Sequence, residues 1–525
     1  YAQTEFTTQW RNVLFNQHRD LLGGAGVATN YENSQRLYRE AIETAKAALD
    51  KSMTRIETAI NSQSKDKDEV PVVVYNALNW PRTDAVEVEV TVPYKQQTAK
   101  IKEQKAKAKL QKGKKKKEAA ELEIKLTPYF RDAGGKKLLV QIQQQDSTAQ
   151  GMHYRLLFLP EEIPAFGYKV YWLEWSTEEP NLSVRARVDI DSLTLSNNYY
   201  SVQIDPVRGG LAHLVDSQQN REWIADKSSG LKILGEKGGD KSALNIAYDG
   251  TWDWLKLAEP PIVLETGPLR ARLLTKYEYG NSHLEQEYLI YATLPRVEMR
   301  YRMNWHERNK TLKAVYPFQL FDGRATSEIP FAAMERPSNG EEMLTQKWLD
   351  LSNEQFGVTV VNDSKYGVDV QDGVVRVTAL RAPDSPDPKA DEGEHHFALA
   401  IMPHNGDWRS SGAVQNGHAF NLPLVARVIQ QQTGNLPALY SFFSVEPARV
   451  MVSALKKSED GEAWVLRIYE STGKPATATI SLPFAAKTVS EVNLIEWEEK
   501  PLALSGQKLV VNLGAWEVKT VKISQ

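Results

Sequence analysis

The chain has 525 residues, no cysteine, and 64 Lys plus Arg against 67 Asp plus Glu. At roughly 100–200 residues per domain this is three or four domains with sizeable cores, which excludes a disordered or peptide-like protein. A formal charge of −3 leaves no whole-molecule field to draw in nucleic acid or an anionic membrane, and the lack of cysteine excludes disulfides, thiolate zinc sites, iron–sulfur clusters and cysteine nucleophiles.

The chain opens on Tyr1-Ala-Gln-Thr-Glu5 rather than on methionine or a signal sequence, so its start reads as a cut. Phe6, Trp10, Val13, Leu14, Gln17 and Leu21 recur at helical steps until Gly23-Gly24-Ala25-Gly26 stops the pattern. A second helix is expected next, capped by Asn33 or Ser34, with Leu37, Ala41, Ala45, Leu49, Met53, Ile56 and Ile60 as its apolar stripe. Two such stripes need a third element to cover them.

From Val70 the texture becomes that of strands. Residues 85–92 alternate Val with Glu, Thr or Ala, as a half-buried strand requires. Short β-branched and aromatic runs then continue to the end of the chain, separated by Gly, Pro, Asn and Asp rather than by helical spacers, which points to antiparallel sandwiches. The expected organisation is a helical bundle remnant at 1–64, a small β-sandwich at 70–180, a large β super-sandwich at 190–430 and a C-terminal β-sandwich at 435–525.

Within the small sandwich, residues 95–125 carry about a dozen lysines and no aromatic residue. Two readings stand: a solvated insertion, or a patch for a polyanion or acidic partner, though one without the aromatic platforms of a single-strand binder.

Several motifs can be set aside. Gly235-Glu-Lys-Gly-Gly-Asp240-Lys-Ser242 approaches a phosphate-binding loop but has aspartate where the second glycine is required. No His-Glu-x-x-His and no Gly-x-Ser-x-Gly occurs. Trp252-Asp253-Trp254 is the best local candidate for stacking on a sugar, its alternative being ordinary core tryptophan.

Read together, several segments resemble glycoside hydrolase family 38, the retaining, metal-dependent α-mannosidases, in the part C-terminal to the catalytic domain. Residues 379–406 are similar to the family's Leu-Arg, Ser-Pro-Asp, Asp-x-Gly-x-His and Pro-His-x-Gly series. Ala325-Thr-Ser-Glu-Ile-Pro-Phe331, Glu335-Arg-Pro337, Trp348-Leu-Asp-Leu-Ser352, Asn362-Asp-Ser-Lys-Tyr-Gly367 and Asn76-Ala-Leu-Asn-Trp80 resemble further segments, in order along the chain. The resemblance implies a mainly β fold: a helical remnant, then antiparallel sandwiches including a galactose-mutarotase-like super-sandwich. It implies a mannose-containing oligosaccharide as substrate, a separate N-terminal catalytic domain as partner, a possible homo-oligomer, no nucleic acid and no membrane, and the cytosolic or vacuolar branch of the family, with a cytoplasmic location.

Phe15-Asn-Gln-His-Arg-Asp20 aligns with the family's Asn-Gln-Phe-His-Asp motif, whose histidine is a zinc ligand and whose aspartate touches the sugar. Asp20 matches the aspartate and is carried over as substrate-binding. The ligand position is Arg19, always charged and without a free lone pair, with His18 beside it, so zinc, expected in the complete family enzyme, is not assigned to this chain. Arg381, Asp387, Asp391 and His395 are candidate substrate-binding residues, the alternative being an Arg–Asp cluster that holds a β-turn. The family's His-x-Asp motif, nucleophile and general acid/base have no counterpart in the chain, so it is expected to be inactive alone. A catalytically inactive carbohydrate-binding or assembly protein is the alternative. A weaker idea is another sugar enzyme in which His395 or His404 works with Asp391 or Glu335.

Overall fold

The computed structural model describes residues 3–94, 126–176, 185–225 and 229–525. The Lys-rich stretch 95–125 lies outside the described residues. The expected order of helices followed by antiparallel sandwiches is the one observed.

Three helices come first: α1 (Gln3–Asn16), α2 (Arg19–Leu22) and α3 (Ala28–Glu57). The sequence pattern runs unbroken to Leu21, but the helix breaks at Gln17-His18, where His18 becomes the N-cap of α2. Trp10, Leu14, Phe15 and Leu22 are exposed. Neither Asn33 nor Ser34 caps α3; both lie inside it, and Val27 is the N-cap with no side-chain hydrogen bond. The Tyr31 hydroxyl takes over the entry turn instead, accepting the Gly26 N–H at 3.0 Å. Only the C-terminal end of the α3 stripe is deeply buried, at Met53, with Ile60 just beyond the helix.

The first sheet runs Val86–Val92, Met152–Phe158, Lys137–Ser147, Thr127–Asp132, Gly167–Ser176, Val70–Asn76 and Val425–Val428. Strand Val86–Val92 alternates buried valines with exposed Glu and Thr, so a one-residue slip would turn its whole apolar set to water. Strand Leu439–Ser441 also joins this sheet, on Gly167–Ser176. The expected boundary between 430 and 435 therefore falls inside a connection that returns to the small sandwich.

The large unit packs a six-stranded sheet against a nine-stranded one. In order, the first is Tyr248–Trp254, Gly230–Glu236, Lys310–Pro317, Val374–Ala382, Gly367–Gln371 and Met343–Leu344. The centre of the second is Arg270–Tyr279, Ser282–Tyr291, Val297–Trp305 and Gly393–Asn405. One continuous core joins them, with Trp223, Trp305, Tyr277, Tyr288, Tyr301 and Phe318 buried among aliphatic side chains. Helix α4 (Ala413–Asn421) packs through Ala413 and Val414 into a cluster with Trp348, Trp408, Met451 and Tyr469, tying the large unit to the C-terminal sandwich.

Charge as well as apolar contact joins the small and large sandwiches. Arg270, with a side chain only 1% exposed, pairs with Glu265 at 2.7 Å in its own unit and with Glu87 of the small sandwich at 2.6 Å. Arg296 reaches Asp84 at 2.9 Å across the same boundary. Buried charges so paired set orientation, because losing one partner strands the other in a low-dielectric interior.

Candidate functional site

The Asp20 segment owes its shape to its neighbours. Asn16, almost fully buried, donates through Nδ2 to the Ser34 carbonyl at 2.9 Å and pins the end of α1 to α3. The α2 turn is closed by Gly23 N–H to Arg19 O and Ala25 N–H to Asp20 O, both at 2.9 Å. Gly24 sits at φ +77°, a left-handed conformation that glycine adopts without strain. His18, Arg19 and Asp20 are thereby presented outward, with side chains 62%, 90% and 59% exposed. Asp20 lies 3.6 Å from Arg19 Nε and 3.7 Å from His18 Nδ1.

The other wall is the loop following strand Gly230–Glu236. Arg381 grips buried Glu236 through Nε and Nη2, at 2.9 and 2.6 Å. The same guanidinium donates to the carbonyls of Ala243 (2.9 Å), Asn245 (3.0 Å) and Ser242. Asp384 completes the clamp, accepting the Ser242 hydroxyl at 2.7 Å, the Gly239 N–H at 3.1 Å and the Asn309 amide at 3.2 Å. The Ser242 hydroxyl and Gly239 N–H hold its carboxyl below the usual aspartate range.

This loop is where the glycine-rich near-motif belongs. A Cβ on Gly238 would stand 2.5 Å from Asp384 Oδ2, so the glycine serves close approach to a carboxylate, not to a phosphate.

The two walls meet. A Cβ on Gly24 would lie 3.6 Å from Ala243 Cβ, and one on Gly23 3.8 Å from Leu244 Cδ2. The turn bearing Asp20 therefore rests on the loop that Arg381 and Asp384 lock. Beyond it, Tyr248 opens the sheet's edge strand, its phenol raised by burial, with the Lys313 ammonium opposing and the Glu342 and Glu236 carboxylates adding to the rise. Trp252 on that strand is 58% exposed rather than in the core, with the Lys232 ammonium 4.2 Å from its ring centroid.

The remaining candidates do not form one group with the Arg381 side chain. Asp387 accepts the Lys389 N–H at 2.9 Å and shapes its own turn. Asp391, at φ +57°, accepts the backbone N–H of Arg381 at 3.2 Å. His395 Nε2 meets the Asp391 carbonyl at 2.8 Å. His404 pairs with neither Asp391 nor Glu335 but with Asp350, at 2.7 Å. Glu236 and Asp384 are the residues that sequence reasoning missed. Glu236 is paired with Arg381 across 145 positions; Asp384 stands beside the quoted Ser-Pro-Asp turn, where Asp387 drew attention instead.

The fit to a metal is poor. Arg19 offers a cation where a ligand would be needed, and among the described residues no group of three or more His, Asp or Glu side chains could hold an ion. A cavity of about 590 Å³ lies elsewhere, between α3, the small sandwich and the C-terminal sandwich, and is lined almost wholly by apolar side chains such as Met53, Phe166, Phe443 and Trp464.

Comparison with known proteins agrees with this architecture. Residues 195–389 match the model described as "Glycosyl hydrolases family 38 C-terminal domain", and residues 449–521 match "Glycosyl hydrolases family 38 C-terminal beta sandwich domain". Alpha-mannosidase 2C1 of Homo sapiens is 30% identical over 354 residues, 62% of this chain and 33% of that protein. Alpha-mannosidase G of Dictyostelium discoideum is 27% identical over 362 residues, 63% of this chain and 32% of that protein. The chain thus spans about a third of the length of these curated relatives. The crystal structure of an alpha-mannosidase from Enterococcus faecalis superposes with a TM-score of 0.78 at 15% identity, covering 99% of this chain and 64% of that one, a likeness of fold. Matching two C-terminal domain models of one family, the chain belongs to glycoside hydrolase family 38, in the C-terminal part of its α-mannosidases.

Proposed function

We propose that this chain is the non-barrel half of a retaining α-mannosidase: it buttresses a separate catalytic domain and completes the cleft that holds a mannose-containing oligosaccharide. One observation carries the reading. The Asp20 turn and the 242–245 loop, one from the N-terminal helices and one from the large sandwich, are seated on each other, and the loop is fixed by Arg381 and Asp384. A corner so tightly held, with an exposed carboxylate at its tip, suits positioning sugar hydroxyls without reorganisation. Asp20 would accept hydroxyl hydrogen bonds. The groups that break the glycosidic bond, a nucleophile and an acid/base, would come from the catalytic domain. Zinc would be held there too, because Arg19 has no lone pair to offer it. A cytoplasmic location goes with this reading.

The test is hydrolysis of a nitrophenyl α-mannoside by the complete gene product, with the product anomer followed by NMR. The reading expects α-mannose as first product and loss of turnover, not of folding, in Asp20→Asn. Net inversion, or full activity in that variant, would remove it. Arg19 motivates a second reading, a carbohydrate-binding or assembly protein without catalysis. One equivalent of zinc together with turnover in the complete protein would eliminate that reading.

A further inference from the structure

Away from this corner, a cavity of about 300 Å³ opens between the start of α4 and the C-terminal sandwich, lined by Asp407, Trp408, Arg409, Ser410, Arg449 and Lys474 among others. Three of these side chains are cations. Asp407 is the only carboxylate in the lining, and it is already engaged by Arg409 Nη1 at 3.0 Å and by the Ser410 N–H at 3.2 Å. Among the described residues neither Arg449 nor Lys474 has an ion-pair partner. Arg449 spends one Nη2 donor on the Pro475 carbonyl at 3.2 Å, while its buried Nε has no acceptor. A buried guanidinium donor without an acceptor is costly, and most such groups in folded proteins are satisfied. The Arg409 guanidinium carbon lies 4.2 Å from the Trp408 ring centroid, and its Nε donates to the Thr472 carbonyl at 3.0 Å, so the side chain is held in place on two sides. Ser410 and, from the first turn of α4, Val414 and Gln415 complete that side of the lining.

We propose that this cavity binds a small tetrahedral oxyanion, a phosphate or sulfate group, either free or carried on a sugar. The chemistry is one of charge and donor geometry: two guanidinium groups and an ammonium line the cavity against one carboxylate, and after Asp407 has paired with Arg409 the Arg449 and Lys474 charges are left for an oxyanion. Nothing in this proposal depends on the α-mannosidase reading, because the cavity shares no residue with the Asp20 corner.

Calorimetric titration of the full chain with sodium phosphate, and separately with glucose 6-phosphate, tests it against sodium chloride at matched ionic strength. Saturable binding of phosphate and not of chloride is expected. Arg449→Gln should weaken it about tenfold or more, the loss expected of a charged hydrogen-bonding partner. Lys474→Gln should weaken it severalfold; Lys474 is exposed, so its replacement reads binding without disturbing the fold. Tighter binding of glucose 6-phosphate than of phosphate identifies a sugar-borne group, and equal binding a free anion. Phosphate heats indistinguishable from those of chloride, or both variants binding as tightly as the parent, would overturn the proposal.

Discussion

Arg381→Met is the substitution that most sharply tests how the Asp20 corner is held. The wild-type guanidinium is bidentate to a Glu236 side chain that is 1% exposed, and it also donates to three carbonyls of the 242–245 loop. Methionine fills much of the volume but leaves the Glu236 carboxylate buried with only the Thr311 hydroxyl as partner. Breaking a buried pair in this way costs about 3–5 kcal/mol. The three carbonyls, on a loop that can open to water, add little to that. Arg381→Lys restores the charge but not the fork, and should recover only part of the loss. Adding Glu236→Gln to Arg381→Met removes the stranded charge, so the double variant should be more stable than Arg381→Met alone by about 1–2 kcal/mol. Urea unfolding measures the energies, and hydrogen exchange locates them: protection should fall in 237–247 and, because Ala243 and Leu244 support it, in the 19–25 turn. A loss under about 1 kcal/mol, or an unaffected 19–25 turn, would refute the mechanical link between the loop and Asp20.

Other consequences are as specific. Gly238→Ala puts a Cβ 2.5 Å from Asp384 Oδ2 and should cost about 1–3 kcal/mol in urea unfolding, with increased exchange in the same loop. Arg270→Met takes the partner from Glu87, whose side chain is 41% exposed, while Glu265 keeps Arg272 at 2.8 Å; calorimetry should show a loss of about 1–3 kcal/mol and a first transition confined to the small sandwich. His418 on α4 is pushed down to about 3 by burial and then by the Lys347 ammonium. Glu328, 3.6 Å away, does not offset this, since Lys347 already pairs with it at 3.1 Å. Because the folded value lies below the ~6.5 of an unfolded histidine, the unfolded chain binds the extra proton between those two values. Stability therefore falls as pH falls through that window, by up to ~1.4 kcal/mol per pH unit. His418→Gln should flatten that slope in denaturation curves taken between about pH 4 and 6.5.

What the sequence disclosed and what it concealed follow from range. The valine alternation of 86–92 is a local signal, and the strand buries it as written. The run from Phe6 to Leu21 is also local, yet the helix breaks at His18, because Asn16 and Tyr31 make contacts 18 and 10 positions away that no helical period encodes. Arg381 stood out through its motif, but its partner Glu236 sits 145 residues earlier, on a strand separated from its own by Lys310–Pro317. Motif reading offered Asp387 and Asp391 as carboxylate partners simply because they are near in sequence. Trp252 shows the same limit in reverse: tryptophan in a sandwich suggests core, and only the sheet order reveals that its strand is an edge. The absence of cysteine excluded thiolate sites at once, while Arg19, a single residue, was enough to argue against a metal at the Asp20 turn.

We propose that this chain shapes the sugar cleft of an α-mannosidase without supplying its catalytic groups. Side-by-side hydrolysis of a nitrophenyl α-mannoside by residues 1–525 and by the complete gene product, each with and without Asp20→Asn, decides the point. No turnover is expected from residues 1–525 in either form, and turnover by the complete product should fall about a hundredfold or more in the variant, as expected when a charged contact made in the transition state is lost. Hydrolysis by residues 1–525 alone, or a complete product indifferent to Asp20→Asn, would contradict it.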